Sequence, residues 1–385
     1  MALRETELIP IYQHLHQIPE LGLEEHETQA YLLSIIAKMP QDYLTIKKIP
    51  SLDTAILVKV SGIKHDYRIG YRTDIDGLPV TEKTGLPFAS THPGKMHACG
   101  HDIHMSVALG ILSYFAEHQP TTDMVFMFQP AEENASGGKR LYESGALDAD
   151  WMPDEIFAFH DNPNLPTGAI GCRMGTLFAG TCEIHAHLNG KSGHAAYPHQ
   201  ANDMVVAGAA LVQQLQTIVS RNVDPIQSGV VTLGHFTAGT IGNVIAGEAQ
   251  IDGTIRALTQ EMNEHIQKRV RTITEGVALA YDCNIDLKLN QGGYYPVENN
   301  DAITADFMDY MQTADDVNFI ETQPAMTGED FGFLIHQIPG TMFWLGVDSP
   351  YSLHSESMVP HTDAIMSGVV AMTGYLTHRN SLRVW

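Results

Sequence analysis

Basic residues are scarce in this 385-residue chain: 22 Lys and Arg face 45 Asp and Glu, a formal net charge of −23. Nucleic acid and anionic membrane surfaces both require basic patches, so neither is expected as a partner. The imbalance says little about a small substrate, because a site can be locally positive inside an acidic protein. Cysteine is scarce too. The four, at 99, 172, 182 and 283, show no framework spacing, which argues against a disulfide scaffold and predicts thiols in a reducing compartment. No apolar run approaches the ~20 residues that a membrane span requires, and the start, Met1-Ala2-Leu3-Arg4-Glu5-Thr6-Glu7, lacks the apolar core of a signal peptide. A cytoplasmic location is expected. Internal repeats, low-complexity tracts and Pro-rich linkers are also missing. With 44% hydrophobic and 17% charged residues, the chain has the composition of an ordered enzyme, long enough for two domains.

What is present is concentrated chemistry. Met96-His97-Ala98-Cys99-Gly100-His101-Asp102-Ile103-His104 places one thiol, three imidazoles and a carboxylate directly ahead of an apolar run that reads as a helix. Thiolate and neutral imidazole held close together are what a transition metal needs. Asp123 to Phe128 reads as a buried strand of a parallel sheet and leads into Gln129-Pro130-Ala131-Glu132-Glu133, so two carboxylates belong at that strand's C-terminal end. Open α/β sheets keep their active sites there. Ile156 to Phe159 is a further apolar strand ending in His160, and Phe343 to Val347 is followed by Leu353-His354-Ser355. A lone strand-end histidine is more often a surface residue, but four strand-end donor segments in one chain point to a metal site. Of the cysteines, only Cys99 has metal-binding neighbours; Cys172, Cys182 and Cys283 read as small buried hydrophobes.

The pattern along the chain divides in two. From Tyr12 to about Arg173, helical periodicity alternates with short strands such as Thr54 to Val60 and Tyr67 to Tyr71, which is the signature of an α/β sheet. From Leu177 to about Leu289 it changes. Strands are expected at Thr181 to Leu188, Gly229 to Leu233, Ala249 to Ile255 and Asn284 to Leu289, with helices at Asp203 to Val219 and Glu261 to Ala280. This β-α-β-β-α-β order fits a small sheet with two helices on one face, the split βαβ, ferredoxin-like α+β arrangement. Residues 1–175 and 292–385 are therefore expected to form one domain, and 176–291 an inserted one, joined by short hinges.

Arg72-Thr73-Asp74-Ile75-Asp76-Gly77-Leu78-Pro79, the segment around Cys99, the Glu132-Glu133 turn, Gly193-His194-Ala195-Ala196-Tyr197-Pro198-His199, Gly328-Glu329-Asp330-Phe331 and Leu353-His354-Ser355 follow one another in a recognisable order. In this the chain resembles the aminoacylase and carboxypeptidase superfamily of dinuclear metal amidohydrolases, in the branch containing the indoleacetyl-amino-acid and hippurate hydrolases. Gly85-Leu86-Pro87-Phe88-Ala89-Ser90, His92-Pro93-Gly94-Lys95 and Asn202-Asp203-Met204-Val205-Val206-Ala207 narrow the resemblance to bacterial deacetylases of an acetylated diamino acid.

The resemblance implies a metal-dependent exopeptidase-like α/β catalytic domain with an inserted α+β lid, and a small-molecule N-acyl amino acid as substrate. It implies two divalent ions, for which zinc, cobalt, nickel or manganese all suit the donors. Cys99 would bridge them, with His101 and His160 on one ion and Glu133 and His354 on the other. Glu132 would then be the general base; physically, either glutamate could bind and either could act as base. Asp74 matches the carboxylate that steers a ligand imidazole, and Asp76 could substitute for it. His194 matches a lid histidine that completes the site of a neighbouring subunit, which implies a homodimer. A donor facing the developing oxyanion is worth roughly 3 kcal/mol. Asn243 and Arg256 match lid positions that hold a substrate carboxylate. His97, Asp102 and His104 are left as supporting or surface residues, and Glu329-Asp330 as a loop flanking the cleft. The alternatives are a hydrolase for hippurate or an indoleacetyl conjugate, with a greasy acyl pocket, and an inactive scaffold used as a binding protein.

Overall fold

A computed structural model describes residues 2–383. Twelve strands carry the architecture: β1 Leu44–Lys48, β2 Ile56–Val60, β3 Lys64–Asp74, β4 Thr122–Gln129, β5 Glu155–Asn162, β6 Ile170–Cys172, β7 Gly180–Asn189, β8 Gly229–Ala238, β9 Glu248–Ala257, β10 Asn284–Asn290, β11 Phe319–Glu321 and β12 Gly340–Gly346. They separate into two compact units.

The first unit runs through Leu177, resumes over Glu298–Gln323 and again from Phe333. Its eight-stranded sheet has the order β1-β2-β4-β3-β5-β12-β6-β11. β4, β3, β5 and β12 run parallel to one another, whereas β1 with β2, β2 with β4, and β12 with β6 are antiparallel. Because the four central strands are parallel, their carboxyl ends share one edge. Asp74 stands opposite Gln129, and His160 opposite Trp344, near that edge. Helices cover these strands, so β4 and β12 are buried along their whole length and read as apolar runs. The His101–Glu117 helix is buried on nearly every side, Ile103, Val107, Ile111 and Phe115 among its core residues.

The second unit comprises Phe178–Val297 together with Pro324–Gly332. It begins at Phe178, close to the hinge expected at about 175, and runs past the one expected at about 291, where close packing ties the added residues to its first strand. Pro296 lies against Gly180, where an added Cβ would come within 2.6 Å of its Cδ, and Gly328 sits equally close to Thr181. The strand order β8-β9-β7-β10 is antiparallel throughout. The anticipated β-α-β-β-α-β sequence is observed, with helices at Met204–Asn222 and Gln260–Ala280 capped by the Asp203 and Thr259 side chains. β7 alternates strictly: Cys182, Ile184, Ala186 and Leu188 face the helices, and Glu183, His185 and His187 are exposed. β8 is longer than its Gly229 to Leu233 pattern suggests, because a bulge at Gly234 shifts its register and moves Phe236 onto the helix side, against Gly208. Among the described residues, no helix is long and apolar enough to cross a membrane.

A buried ion cluster in the first unit sets a pH response. His16, 1% exposed, has Nδ1 2.6 Å from Asp102 Oδ2 and Nε2 3.2 Å from Glu82 Oε1. Burial opposes the charged imidazole, but the two carboxylates outweigh it and raise its pKa from 6.5 to about 9. A raised pKa stabilises the fold fully below 6.5, and that stabilisation disappears as pH rises through about 9. Denaturant unfolding between pH 6 and pH 10 should show wild type losing about 3 kcal/mol more than His16→Gln across this window. Parallel pH profiles for the two proteins would show that His16 is not held protonated.

Candidate metal centre

Four chain segments deliver donors to the carboxyl edge of the parallel strands. Cys99 and His101 flank Gly100, whose φ of 75° starts the His101–Glu117 helix. A Cβ there would lie 2.4 Å from Asp161 Oδ2, so both conformation and space demand glycine. Beyond β4 the chain turns at Ala131, φ 56°, into Glu132 and Glu133. His160 lies within β5, and His354 comes from the loop after β12 with φ 65°, its N–H donating to Ala98 O at 2.8 Å. Left-handed conformations cost about 1–3 kcal/mol at non-glycine residues. Tertiary packing therefore sets the direction of the Glu132-Glu133 turn and of His354.

Cys99 Sγ lies 3.4 Å from His160 Nε2 and 3.2 Å from His354 Nε2. Glu133 Oε1 is 3.4 Å from His354 Nε2 and 3.9 Å from His101 Nε2. The donors form two triads that share Cys99, one with His101 and His160, the other with Glu133 and His354; within each triad the ligand atoms lie within 4.8 Å of one another. Glu132 is buried and groups with Glu133 and His101. Burial pushes the Cys99 thiol well above its ordinary range, and Glu133 pushes the same way. Burial also opposes the charge on Glu133, but His354 and His101 hold that carboxylate below its ordinary value.

Behind the donors lies a second, wholly buried polar layer. His101 Nδ1 is 2.8 Å from Asp76 O and 3.2 Å from Asp76 Oδ1, and the Asp76 carboxylate also accepts Glu133 N–H at 3.0 Å. The steering of the His101 ring expected of Asp74 thus falls geometrically to Asp76. Asp74 is engaged elsewhere: it lies 2.6 Å from His104 Nδ1 and accepts from Arg72 at 2.7 Å, while its approach to His101 Nε2 is 3.9 Å. Burial would raise the Asp74 pKa, but His101, His104 and Arg72 hold it well below the usual range. His104 joins Asp74 to Asp161, which lies 3.2 Å from its Nε2 and 3.1 Å from His160 Nδ1. Asp161 is held at about 2 against burial by these two histidines. Asp161 and the central position of His104 escape sequence reasoning; their only signal is adjacency to His160 and the i, i+3 spacing from His101, which places both rings on one helix face.

The second unit brings two of its three candidate residues together. His194 pairs with Val244 across a two-residue ladder, and Ala195 N–H donates to Asn243 O at 3.2 Å. His194 is exposed and its Nδ1 accepts Ala196 N–H at 3.0 Å. Arg256 lies on β9, its guanidinium donating to Thr254 Oγ1 and to Ile255 O.

The donor set fits divalent metal. His101 Nε2 and Glu133 Oε1 are buried without a hydrogen-bond partner, a cost that cations bound in the two triads would remove. The 3.2–3.4 Å separations around Cys99 and His354 match ligands bound to one ion at about 2.0–2.3 Å each.

Comparison with known proteins agrees with this chemistry. The profile of peptidase family M20/M25/M40 matches residues 70–378. An N-acetyldiaminopimelate deacetylase of Lactiplantibacillus plantarum is 91% identical over 99% of this chain and 100% of that protein. One from Ligilactobacillus salivarius is 70% identical over 98% of each chain. The crystal structure of a dinuclear metal binding peptidase from the M20 family of Bacillus subtilis superposes with a TM-score of 0.85, at 27% identity over 98% of each chain.

Since Cys99 belongs to both triads, Cys99→Ala should remove at least one equivalent of bound metal and nearly all activity while the thermal unfolding transition persists. Metal analysis after dialysis checks this; full metal content in the variant would rule out a shared thiolate.

Proposed function

This chain belongs to peptidase family M20/M25/M40, and we propose that it hydrolyses N-acetyl-L,L-diaminopimelate to L,L-diaminopimelate and acetate. The observation that carries the reading is the full-length 91% identity to a deacetylase of that name, in a chain whose metal donors and candidate base are all present and assembled. The enzyme is a metal-dependent amidohydrolase. Its place is the cytoplasmic step of lysine and cell-wall precursor synthesis that releases the free diamino acid, in keeping with its four free thiols.

Cys99, His101, Glu133, His160 and His354 would hold two divalent ions of the zinc, cobalt, nickel or manganese type, Cys99 being the donor common to both triads. Bound metal supplies Lewis acidity towards water and the amide carbonyl. The chain's own residues do the rest. Glu132 accepts a proton from water as its oxygen attacks the acetyl carbonyl, then returns it to the departing nitrogen as the C–N bond breaks. Asp76 fixes the tautomer and direction of the His101 ring; Asp74 acts more remotely, through His104 and Arg72. His194 acts on the neighbouring subunit's site. Its Nδ1 accepts a backbone N–H, which places the ring proton on Nε2 and suits it to donate to the oxyanion. Asn243 and Arg256 receive the substrate carboxylate. A homodimer is supported by the surface of the second unit: β8 is an edge strand, and Val205, Val206, Val219, Val230, Phe236 and Ile241 are exposed there.

Turnover measured on a panel of N-acyl amino acids should give a kcat/KM for N-acetyldiaminopimelate at least about a hundredfold above those for hippurate and indoleacetyl-aspartate. Equal or better use of the aromatic substrates would move the enzyme to the other branch. Subunit mixing tests the assembly. Glu132→Gln, which should keep its metal, and His194→Ala should each be nearly inactive, yet full exchange makes about half the dimers mixed, each with one intact site. Activity should return to roughly a quarter of wild type; none after verified exchange would mean that His194 acts within its own chain or not at all.

A further inference from the structure

Residues 75–100 are the longest stretch of the first unit without helix or strand. The paired backbones of Leu78 and Met96 close its base, so the segment between them is an Ω-type loop with no ladder of its own. It contains Gly85 to Ser90 and His92 to Lys95, the motifs that the metal centre leaves unused.

Charge holds this loop in place. Glu82 faces His16 and accepts from the Thr84 hydroxyl and from Ser90 N–H at 2.6 Å, while the other nitrogen of His16 meets Asp102 in the first turn of the metal-bearing helix. Phe88 packs edge-on against His16 and Tyr12 at 5.5 and 5.8 Å. The next residue after Glu82 has the opposite character. The Lys83 side chain is 62% exposed, yet its backbone N–H donates to Glu356 O at 2.7 Å and its Nζ lies 2.9 Å from the Glu356 carboxylate, itself 50% exposed. Glu356 follows the metal donor His354 by two residues, and that imidazole is itself 56% exposed. Such an exposed ion pair contributes only about 0–1 kcal/mol to stability. Fold stability therefore gives no reason to anchor it so firmly.

We infer that Lys83 and Glu356 form the subsite for the far end of the substrate, Glu356 receiving its ammonium and Lys83 its carboxylate. The inference rests on the diaminopimelate reading above. That substrate ends in one carbon bearing both charges, so on binding each protein charge exchanges its partner for a substrate group and none is left unpaired. The placement agrees as well: Glu356 stands two residues from His354 in the turns that follow β12, and the substrate carries its far α-carbon only six bonds, roughly 7 Å, from the scissile carbonyl carbon.

Two truncated substrates divide the claim. Nα-acetyllysine lacks the far carboxylate, and N-acetyl-2-aminopimelate lacks the far amine. Lys83→Met should reduce the kcat/KM preference for N-acetyldiaminopimelate over Nα-acetyllysine about tenfold, mostly through KM. Glu356→Gln should do the same to the preference over N-acetyl-2-aminopimelate, and each variant should affect its own ratio far more than the other. Variants that keep both wild-type ratios, or lose both equally, overturn the subsite. A wild-type enzyme with no preference for N-acetyldiaminopimelate over either truncated compound overturns the diaminopimelate reading instead.

Discussion

The first unit is organised around an excess of buried negative charge. Asp74, Asp76, Glu132 and Asp161 are buried at the carboxyl edge of the parallel strands, with Glu133 nearly so, and among the described residues Arg72 is the arginine that reaches them. An uncompensated carboxylate in such a place costs several kcal/mol, so the cluster persists only with cations to balance it. Histidine protons supply part of the balance, which is why His104 is raised to about 9 while Asp161 is held at about 2. A divalent metal bound here would supply the remainder and favour the thiolate form of Cys99, whose proton burial otherwise retains.

This balance explains why so much structure surrounds so few donors. Gly100 leaves room for Asp161, and the Ala131 and His354 backbones are held in left-handed conformations that only tight packing sustains. Glu25, buried, accepts Ala131 N–H at 2.8 Å and ties the glutamate turn to the N-terminal segment. His16 does likewise, joining the His101–Glu117 helix through Asp102 to the Glu82 loop. Catalytic direction is thus set by residues remote in sequence from the donors they hold.

Much of this was legible from the chain alone. Glu133, His160 and His354 announce themselves as candidate donors because each follows or ends an apolar strand, and strand ends in a parallel sheet converge; Cys99 and His101 do so as a thiol and an imidazole directly ahead of an apolar helix. The β-α-β-β-α-β order of the second unit follows from alternation in its strands and helical periodicity in the two segments between them; the Asp203 and Thr259 caps emerge only in the structure. What stayed hidden depends on burial. Nothing local distinguishes Asp76 from Asp74, two residues apart on the same side of one segment, until Arg72 and His104 are seen to occupy Asp74. His16 and Asp161 look like ordinary surface residues until the elements around them close. The bulge at Gly234 and the reach of Pro324–Gly332 into the second unit are likewise products of tertiary contact.

The central claim is that one thiolate is shared by two metal ions at this edge. Cobalt(II) titrated into the metal-free protein and followed by absorption tests it most directly. The account predicts a near-ultraviolet thiolate-to-cobalt charge-transfer band that grows across two equivalents per chain, with visible ligand-field bands of low-symmetry cobalt growing alongside. Saturation of the ligand-field bands without any thiolate band, or a thiolate band complete at one equivalent with no change on adding the second, would contradict it.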